Sequence, residues 1–131
     1  MFLARAFLVW LLLIAAETIH GILRVIFLEP LFGDFRARQF AVFTGALIIL
    51  SISYLLVGWL RATSLLNLFG VGVTWLILTL AFEISLGRFV FELSWERIYS
   101  DYQITKGGLL PFGLLILLFS PIITAKLRKL I

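Results

Sequence analysis

The fold is decided by the stretch AFLVWLLLIAAETIHGILRVIFL, residues 6–28. Almost all of its side chains are apolar, and as an α-helix it extends about 35 Å at 1.5 Å per residue. The hydrocarbon core of a bilayer is about 30 Å thick and is crossed by about 20 apolar helical residues. The stretch therefore predicts a transmembrane helix, although Glu17, His20 and Arg24 lie within it.

The composition of the whole chain favours the same environment. Its 131 residues are 63% hydrophobic and 14% charged, with a mean hydropathy of +1.15. Soluble domains average about 45–50% apolar and about 25% charged residues. So few charges cannot cover a surface in water, which excludes a soluble domain, a disordered chain and a nucleic-acid-binding module. The absence of cysteine excludes disulfides, thiolate metal sites and cysteine nucleophiles.

Four apolar stretches predict an all-α fold, a polytopic membrane protein with a four-transmembrane-helix bundle in one integral membrane domain, residues 1–131. The predicted helices cover about residues 6–28, 40–60, 68–90 and 109–125. The first is expected to end at Glu29-Pro30. The third is expected to continue to about residue 99, on charges spaced i, i+4 and i+8 from Arg88. A signal peptide is the alternative for the N-terminus, but no A-x-A-type cleavage site follows the first apolar run.

The distribution of charge predicts the orientation. Four spans place both termini on one side, together with basic residues and no acid. These residues are Arg5, Arg61, Lys126, Arg128 and Lys129. All seven acids lie at mid-membrane or toward the opposite side. Because cytoplasmic flanks are rich in Lys and Arg, we predict that both termini are inside, although the basic residues on the two sides are almost equal in number.

The first predicted helix has one polar face. At 100° per residue, Glu17, His20 and Arg24 fall within about 60° of one another. The third predicted helix carries Glu83 on a stripe of small residues that begins at Gly72. We therefore expect the first and third helices to pack together, with Glu83 accepting hydrogen bonds from His20 or Arg24.

These four residues are the candidate ion or proton site, because ionisable side chains inside a membrane are costly and are often functional. The alternative is a structural polar network that fixes helix pairing. Glu17-x-x-His20 has the spacing of a carboxylate-bridged di-iron ligand pair, but the chain has one histidine and lacks the second pair that such a site needs. We therefore predict no metal site, cofactor or catalytic residue.

Three further arginines lie on the predicted outer side, namely Arg36, Arg38 and Arg88. Guanidinium groups bind phosphates and other anions through paired hydrogen bonds. We expect these three side chains to contact lipid headgroups or another anion at the outer face.

Three classes of function fit these features. The first is a proton- or ion-linked transporter or channel, which would be a homo-oligomer because four helices are few for a pathway. The second is an accessory or assembly subunit that binds partner subunits in a larger membrane complex. The third is a lipid- or quinone-binding membrane protein or enzyme. The lipid bilayer is a partner in each case, and nucleic acid in none.

Two resemblances bear on localisation. The segments ETIHGILR (residues 17–24), GDFRARQ (33–39) and SWER (94–97) resemble those of a family of short four-helix bacterial inner-membrane proteins without an assigned activity. This resemblance implies a bacterial inner-membrane location. In addition, Ala15-Ala16-Glu17 is similar to the first helix of small multidrug resistance transporters, which are equally short and keep a glutamate there. That resemblance implies transport.

Overall fold

A computed structural model describes residues 2–62, 64–100 and 102–130, without the side chains of Phe2 and Lys106. The described residues are mostly helical and form no strand, so the all-α prediction is confirmed. Four helical segments are long and apolar enough to cross a membrane, which is compatible with a membrane protein. These segments are Leu3–Phe32, Asp34–Leu60, Leu65–Val90 and Leu110–Leu127.

The elements follow in the order α1 (Phe2–Leu23), α2 (Glu29–Phe32), α3 (Asp34–Leu60), α4 (Leu65–Ser85), α5 (Trp95–Ser100) and α6 (Leu110–Leu127). Two π-helical stretches, Arg24–Leu28 and Leu86–Val90, extend α1 and α4. We call the end of the bundle that holds residues 3–6, 58–66 and 126–130 the terminal end. The opposite end, with Gly33 and residues 91–108, is the loop end.

The prediction that the first helix ends at Glu29-Pro30 is wrong, because helical backbone continues to Phe32. Pro30 lies in the first turn of α2, where its missing N–H costs little. The π-helical stretch just before it widens the helix and moves the carbonyl with which the proline ring would clash. The chain turns instead at Gly33, whose φ of +84° suits glycine.

The second helix begins at Asp34, not at residue 40 as predicted. Its first residues are polar, so a hydropathy criterion leaves them out, but Arg36, Arg38 and Gln39 are compatible with helix. Asp34 places a carboxylate in the first turn, where the helix dipole favours negative charge. Hydropathy therefore locates the apolar part of this helix and misses its polar start.

The expected extension of the third helix to about residue 99 is also wrong. The helix stops at Val90, and Glu92 adopts a φ of +54° that breaks it. The amide of Leu93 donates to the carbonyl of Gly87 at 2.9 Å, which closes the helix end. A separate helix, α5, then begins, and the Ser94 hydroxyl caps it by accepting from the Arg97 amide at 3.1 Å.

Two tryptophans join the first and third long helices in the terminal half. The Trp75 indole is fully buried and donates to the carbonyl of Ala6 at 2.8 Å. The Trp10 indole donates to the hydroxyl of Thr79 at 3.0 Å. These contacts confirm that the two helices pack together, and they satisfy both indole N–H groups in an apolar core.

The fourth long helix, α6, packs even more closely against α4. A methyl group built on Gly72 would lie 1.8 Å from the backbone carbonyl oxygen of Leu118. Ser53 and Thr124 share a buried hydrogen bond of 2.9 Å, which joins α3 to α6. The close approach at Gly72 is typical of membrane helix pairs, in which small residues let the backbones meet.

We expect Gly72→Ala to destabilise the bundle by about 1–3 kcal/mol, because the added methyl must push α4 and α6 apart. Gly70→Ala is the matched control, since a methyl there meets nothing within 4 Å. Both substitutions replace a glycine with alanine in α4 and gain the same helix propensity, so the difference between their Tm values reports the packing at Gly72. Thermal unfolding in mild detergent should give a lower Tm for Gly72→Ala, and equal Tm values would contradict this packing.

Candidate functional site

A cavity of about 550 Å³ lies between α1, α3, α4 and α6 in the loop half of the bundle. Its deep end is formed by apolar side chains such as Leu13 and Leu117, and its other end reaches Gly107 and Gly108. Polar and charged side chains line its wall. They are Glu17, Thr18, His20, Arg24, Arg38, Gln39, Thr79, Glu83 and Arg97.

The terminal half is closed by contrast. The buried apolar cluster that includes Trp10, Leu60, Leu68 and Trp75 fills it. Each of these four side chains is at most 8% exposed. The cavity is therefore closed by apolar side chains toward the terminal end, and its polar side chains lie toward the loop end.

All four residues of the predicted ion or proton site line this cavity: Glu17, His20, Arg24 and Glu83. The polar face of α1 and Glu83 of α4 thus line the same cavity. The expected hydrogen bond from His20 or Arg24 to Glu83 is not formed among the described residues. The described hydrogen bond of His20 joins Nε2 to the Thr44 hydroxyl of α3 at 2.5 Å. The second long helix is therefore part of the site, which the sequence does not predict.

Glu17 and His20 form the closest ionisable pair at the deep end. Glu17 Oε2 lies 3.6 Å from His20 Nδ1, and the two side chains are 23% and 16% exposed. The other oxygen, Oε1, is buried and has no hydrogen-bond partner among the described residues. A buried carboxylate oxygen in this position needs a proton or a water molecule, and the cavity beside it can admit either.

A glycine makes room for this carboxylate. A methyl group on Gly45 of α3 would lie 3.0 Å from Glu17 Oε2. The carboxylate therefore rests directly against the backbone of α3. Gly45 was not singled out from the sequence, because an isolated glycine in an apolar helix does not reveal which side chain it faces.

The three predicted outer-face arginines do not lie together. Arg38 is 9% exposed, lines the cavity and pairs with Asp34 at 3.1 Å. Arg88 donates to the carbonyl of Leu93 at 3.1 Å and covers the Trp95 ring. Arg36 is exposed. Of the three, the structure brings only Arg38 to the cavity.

Arg38 belongs to a cluster that binds the loop end to the start of α3. Arg97 of α5 also pairs with Asp34, at 3.3 Å, and Arg38 donates to the Ser100 hydroxyl at 3.2 Å. Gln39 donates to the carbonyl of Gly107 at 2.7 Å. The sequence does not indicate that Arg97 and Gln39 contribute to the site, since their partners are distant in the chain.

Within the described part of the chain, no three His, Asp or Glu side chains are grouped as metal ligands. Comparison with known proteins gives no further assignment, because neither a family model, nor a curated protein, nor a solved structure matches the chain.

We expect the cavity to be accessible to water from the loop end. Leu114 lines the cavity, whereas its neighbour Leu115 is 52% exposed on the outside of the bundle. The chain has no native cysteine, so each position can carry the only thiol. In lipid vesicles, a charged thiol reagent should label Leu114→Cys much faster than Leu115→Cys, because a lipid-facing thiol is shielded from it.

Equal labelling rates for the two single-cysteine variants would contradict a water-accessible cavity. Both thiols must react fully after denaturation, which shows that each one is intact and available. Prior modification of Leu114→Cys with a neutral, membrane-permeant thiol reagent should also abolish labelling by the charged reagent. This control shows that both reagents react with the same cysteine.

Proposed function

We propose that the chain is an integral membrane protein that moves protons or cations through Glu17, as a proton- or ion-linked transporter or channel. The observation that carries this proposal is the Glu17 carboxylate, which lies midway along the Leu3–Phe32 segment and faces the cavity. An ionised side chain at the centre of a bilayer costs at least about 2.5–3.5 kcal/mol on insertion scales. Ionisable side chains inside membrane helices commonly mark ion or proton pathways.

Membrane residence is supported by the outer surface of the bundle. Large apolar side chains are exposed on the long helices, among them Leu12, Phe43, Leu55 and Ile77, with 49%, 65%, 72% and 60% exposure. In water this surface would be unfavourable, and in lipid it is solvated. The basic residues at the terminal end favour an orientation with both termini in the cytoplasm, as in a bacterial inner membrane.

The proton-carrying step is assigned to the pair of Glu17 and His20. A proton that enters the cavity from the loop end reaches either the Glu17 carboxylate or the His20 imidazole, whose Nδ1 lies 3.6 Å from it. The Thr44 hydroxyl holds the other imidazole nitrogen, so the ring is oriented toward the carboxylate. A small side-chain movement shortens the gap to a hydrogen bond, which permits transfer between the two groups.

The closed terminal half supports a transporter more than an open channel. The core around Trp75 fills the path between Glu17 and the terminal end, so access is from one side. A transporter opens its sides alternately around a fixed central site. As part of the proposal, a second copy of the chain or a partner membrane subunit assists this opening, since the helices of one chain are few.

The central variant is Glu17→Gln, which keeps the shape of the side chain and removes its exchangeable charge. In vesicles that contain a pH-sensitive dye, we expect proton uptake to fall at least about tenfold, an increase of about 1.4 kcal/mol in the barrier. Glu96→Gln is the matched control, because Glu96 is exposed on α5 and is not part of the cavity wall.

The Glu96→Gln protein should transport protons at the wild-type rate. Undiminished uptake by Glu17→Gln, with the same amount of folded protein in the vesicles, would remove Glu17 from the mechanism. If the wild-type protein moves no protons, the uptake should be repeated with Na⁺ and K⁺ gradients. Absence of any Glu17-dependent ion movement would then contradict the proposal.

A further inference from the structure

Arg24 stands out among the charged residues of the cavity. Its side chain lines the cavity from the π-helical stretch that follows α1. Its Nε is buried, and among the described residues Arg24 has no hydrogen-bond or ion-pair partner. The residue is half-buried, and a buried guanidinium N–H without an acceptor is costly, so the Nε atom needs an acceptor that the described residues do not supply.

The neighbouring charges have partners of their own. Arg38 and Arg97 share the carboxylate of Asp34, and Glu17 has His20 beside it. Glu83 of α4 lines the same cavity and also has an interaction of its own. Arg24 is seven residues beyond Glu17, about 10 Å closer to the loop end at 1.5 Å per residue. A molecule that enters from the loop end therefore meets the Arg24 guanidinium before it reaches the Glu17 carboxylate.

The rest of the wall is largely apolar at the depth of Arg24. It includes Val25, Phe35, Leu86 and Phe91. A cavity of about 550 Å³ lies within the range of about 300–1,000 Å³ that is usual for small-molecule sites. Arg38 and Arg97 also line the cavity, but both are paired with Asp34. The Arg24 guanidinium beside these apolar walls therefore suits a ligand that has an apolar body and a single anionic head.

We propose that this cavity binds an amphipathic oxyanion, with a phosphate, sulfonate or carboxylate head on Arg24 and an apolar body along the neighbouring wall. Guanidinium groups bind such heads through two parallel hydrogen bonds. Two sources have this chemistry, a membrane lipid headgroup and a soluble organic anion. The inference deepens the proposed function, on which it rests, by naming the class of substrate.

Coupling to the proton follows from charge balance. The anion neutralises Arg24, and a proton neutralises Glu17, whose carboxylate also lies in the field of Glu83 on α4. Arg24 and Glu17 are therefore both compensated when the cavity is loaded. Without either ligand, the bundle keeps an uncompensated charge in an apolar setting, which raises the cost of any movement that closes the loop end. Movement of the loaded state is therefore favoured, and the anion and proton travel in the same direction.

The test measures binding separately from transport. The protein is placed in nanodiscs of phosphatidylcholine, and equilibrium binding is measured for tritiated naphthalene-2-sulfonate and for 2-naphthyltrimethylammonium, which has the same body and the opposite charge. We expect the sulfonate to bind. Its affinity should fall at least about tenfold in Arg24→Gln and less in Arg24→Lys, because a charge-assisted bidentate pair is lost or replaced.

Arg61→Gln is the control, since Arg61 is exposed at the terminal end and is not part of this cavity wall. It should bind the sulfonate as tightly as wild type. A wild-type protein that binds the ammonium compound as well as or better than the sulfonate would overturn the inference, whether or not the variants fold. Wild-type sulfonate affinity in a folded Arg24→Gln protein would overturn it as well.

Addition of phosphatidylglycerol to the nanodiscs identifies the source of the natural ligand. If phosphatidylglycerol competes with the sulfonate, the natural ligand is a lipid headgroup. If it does not compete, the natural ligand is a soluble anion. Both results support an oxyanion site. If sulfonate binding depends on Arg24 but Glu17→Gln does not reduce proton uptake, the proposed function fails and the binding site stands. If proton uptake depends on Glu17 but no sulfonate binds, only this inference fails.

Discussion

The carboxylate of Glu17, placed midway along an apolar helix, constrains the whole loop half of the bundle. It requires space, and the backbone at Gly45 supplies it because a methyl group there would lie 3.0 Å from Oε2. It requires a polar neighbour, and His20 lies 3.6 Å away on the same helix. The imidazole is in turn held by Thr44. Glu17 and His20 therefore supply the polar part of the contact between α1 and α3.

The two halves of the bundle differ in how their interiors are packed. In the terminal half, apolar side chains fill the interior and the indoles of Trp10 and Trp75 are both hydrogen-bonded. That half supplies rigidity through dense packing. In the loop half, charged side chains prevent such packing and a cavity results. The cluster around Asp34 borders this cavity and joins α3 to α5. Stability and the candidate site thus occupy different regions.

The sequence predicts the existence of the four long helices well, since length and hydropathy depend on local composition alone. It also predicts the face shared by Glu17, His20 and Arg24, because helical periodicity fixes their relative directions. Helix ends are harder, as hydropathy does not detect the polar start at Asp34 or the positive φ at Glu92. The contributions of Thr44 and Gly45 could not be predicted, because they depend on how α3 rotates against α1.

We propose that the Glu17 carboxyl group exchanges protons with water inside the bundle. Infrared difference spectroscopy of the protein in lipid, recorded across a pH step in H₂O and in D₂O, observes carboxyl groups directly. Proton exchange at Glu17 predicts a pH-dependent carboxyl band that is absent from Glu17→Gln. The band should shift in D₂O while the protein stays folded. A spectrum in which wild type and Glu17→Gln show the same carboxyl bands would contradict it.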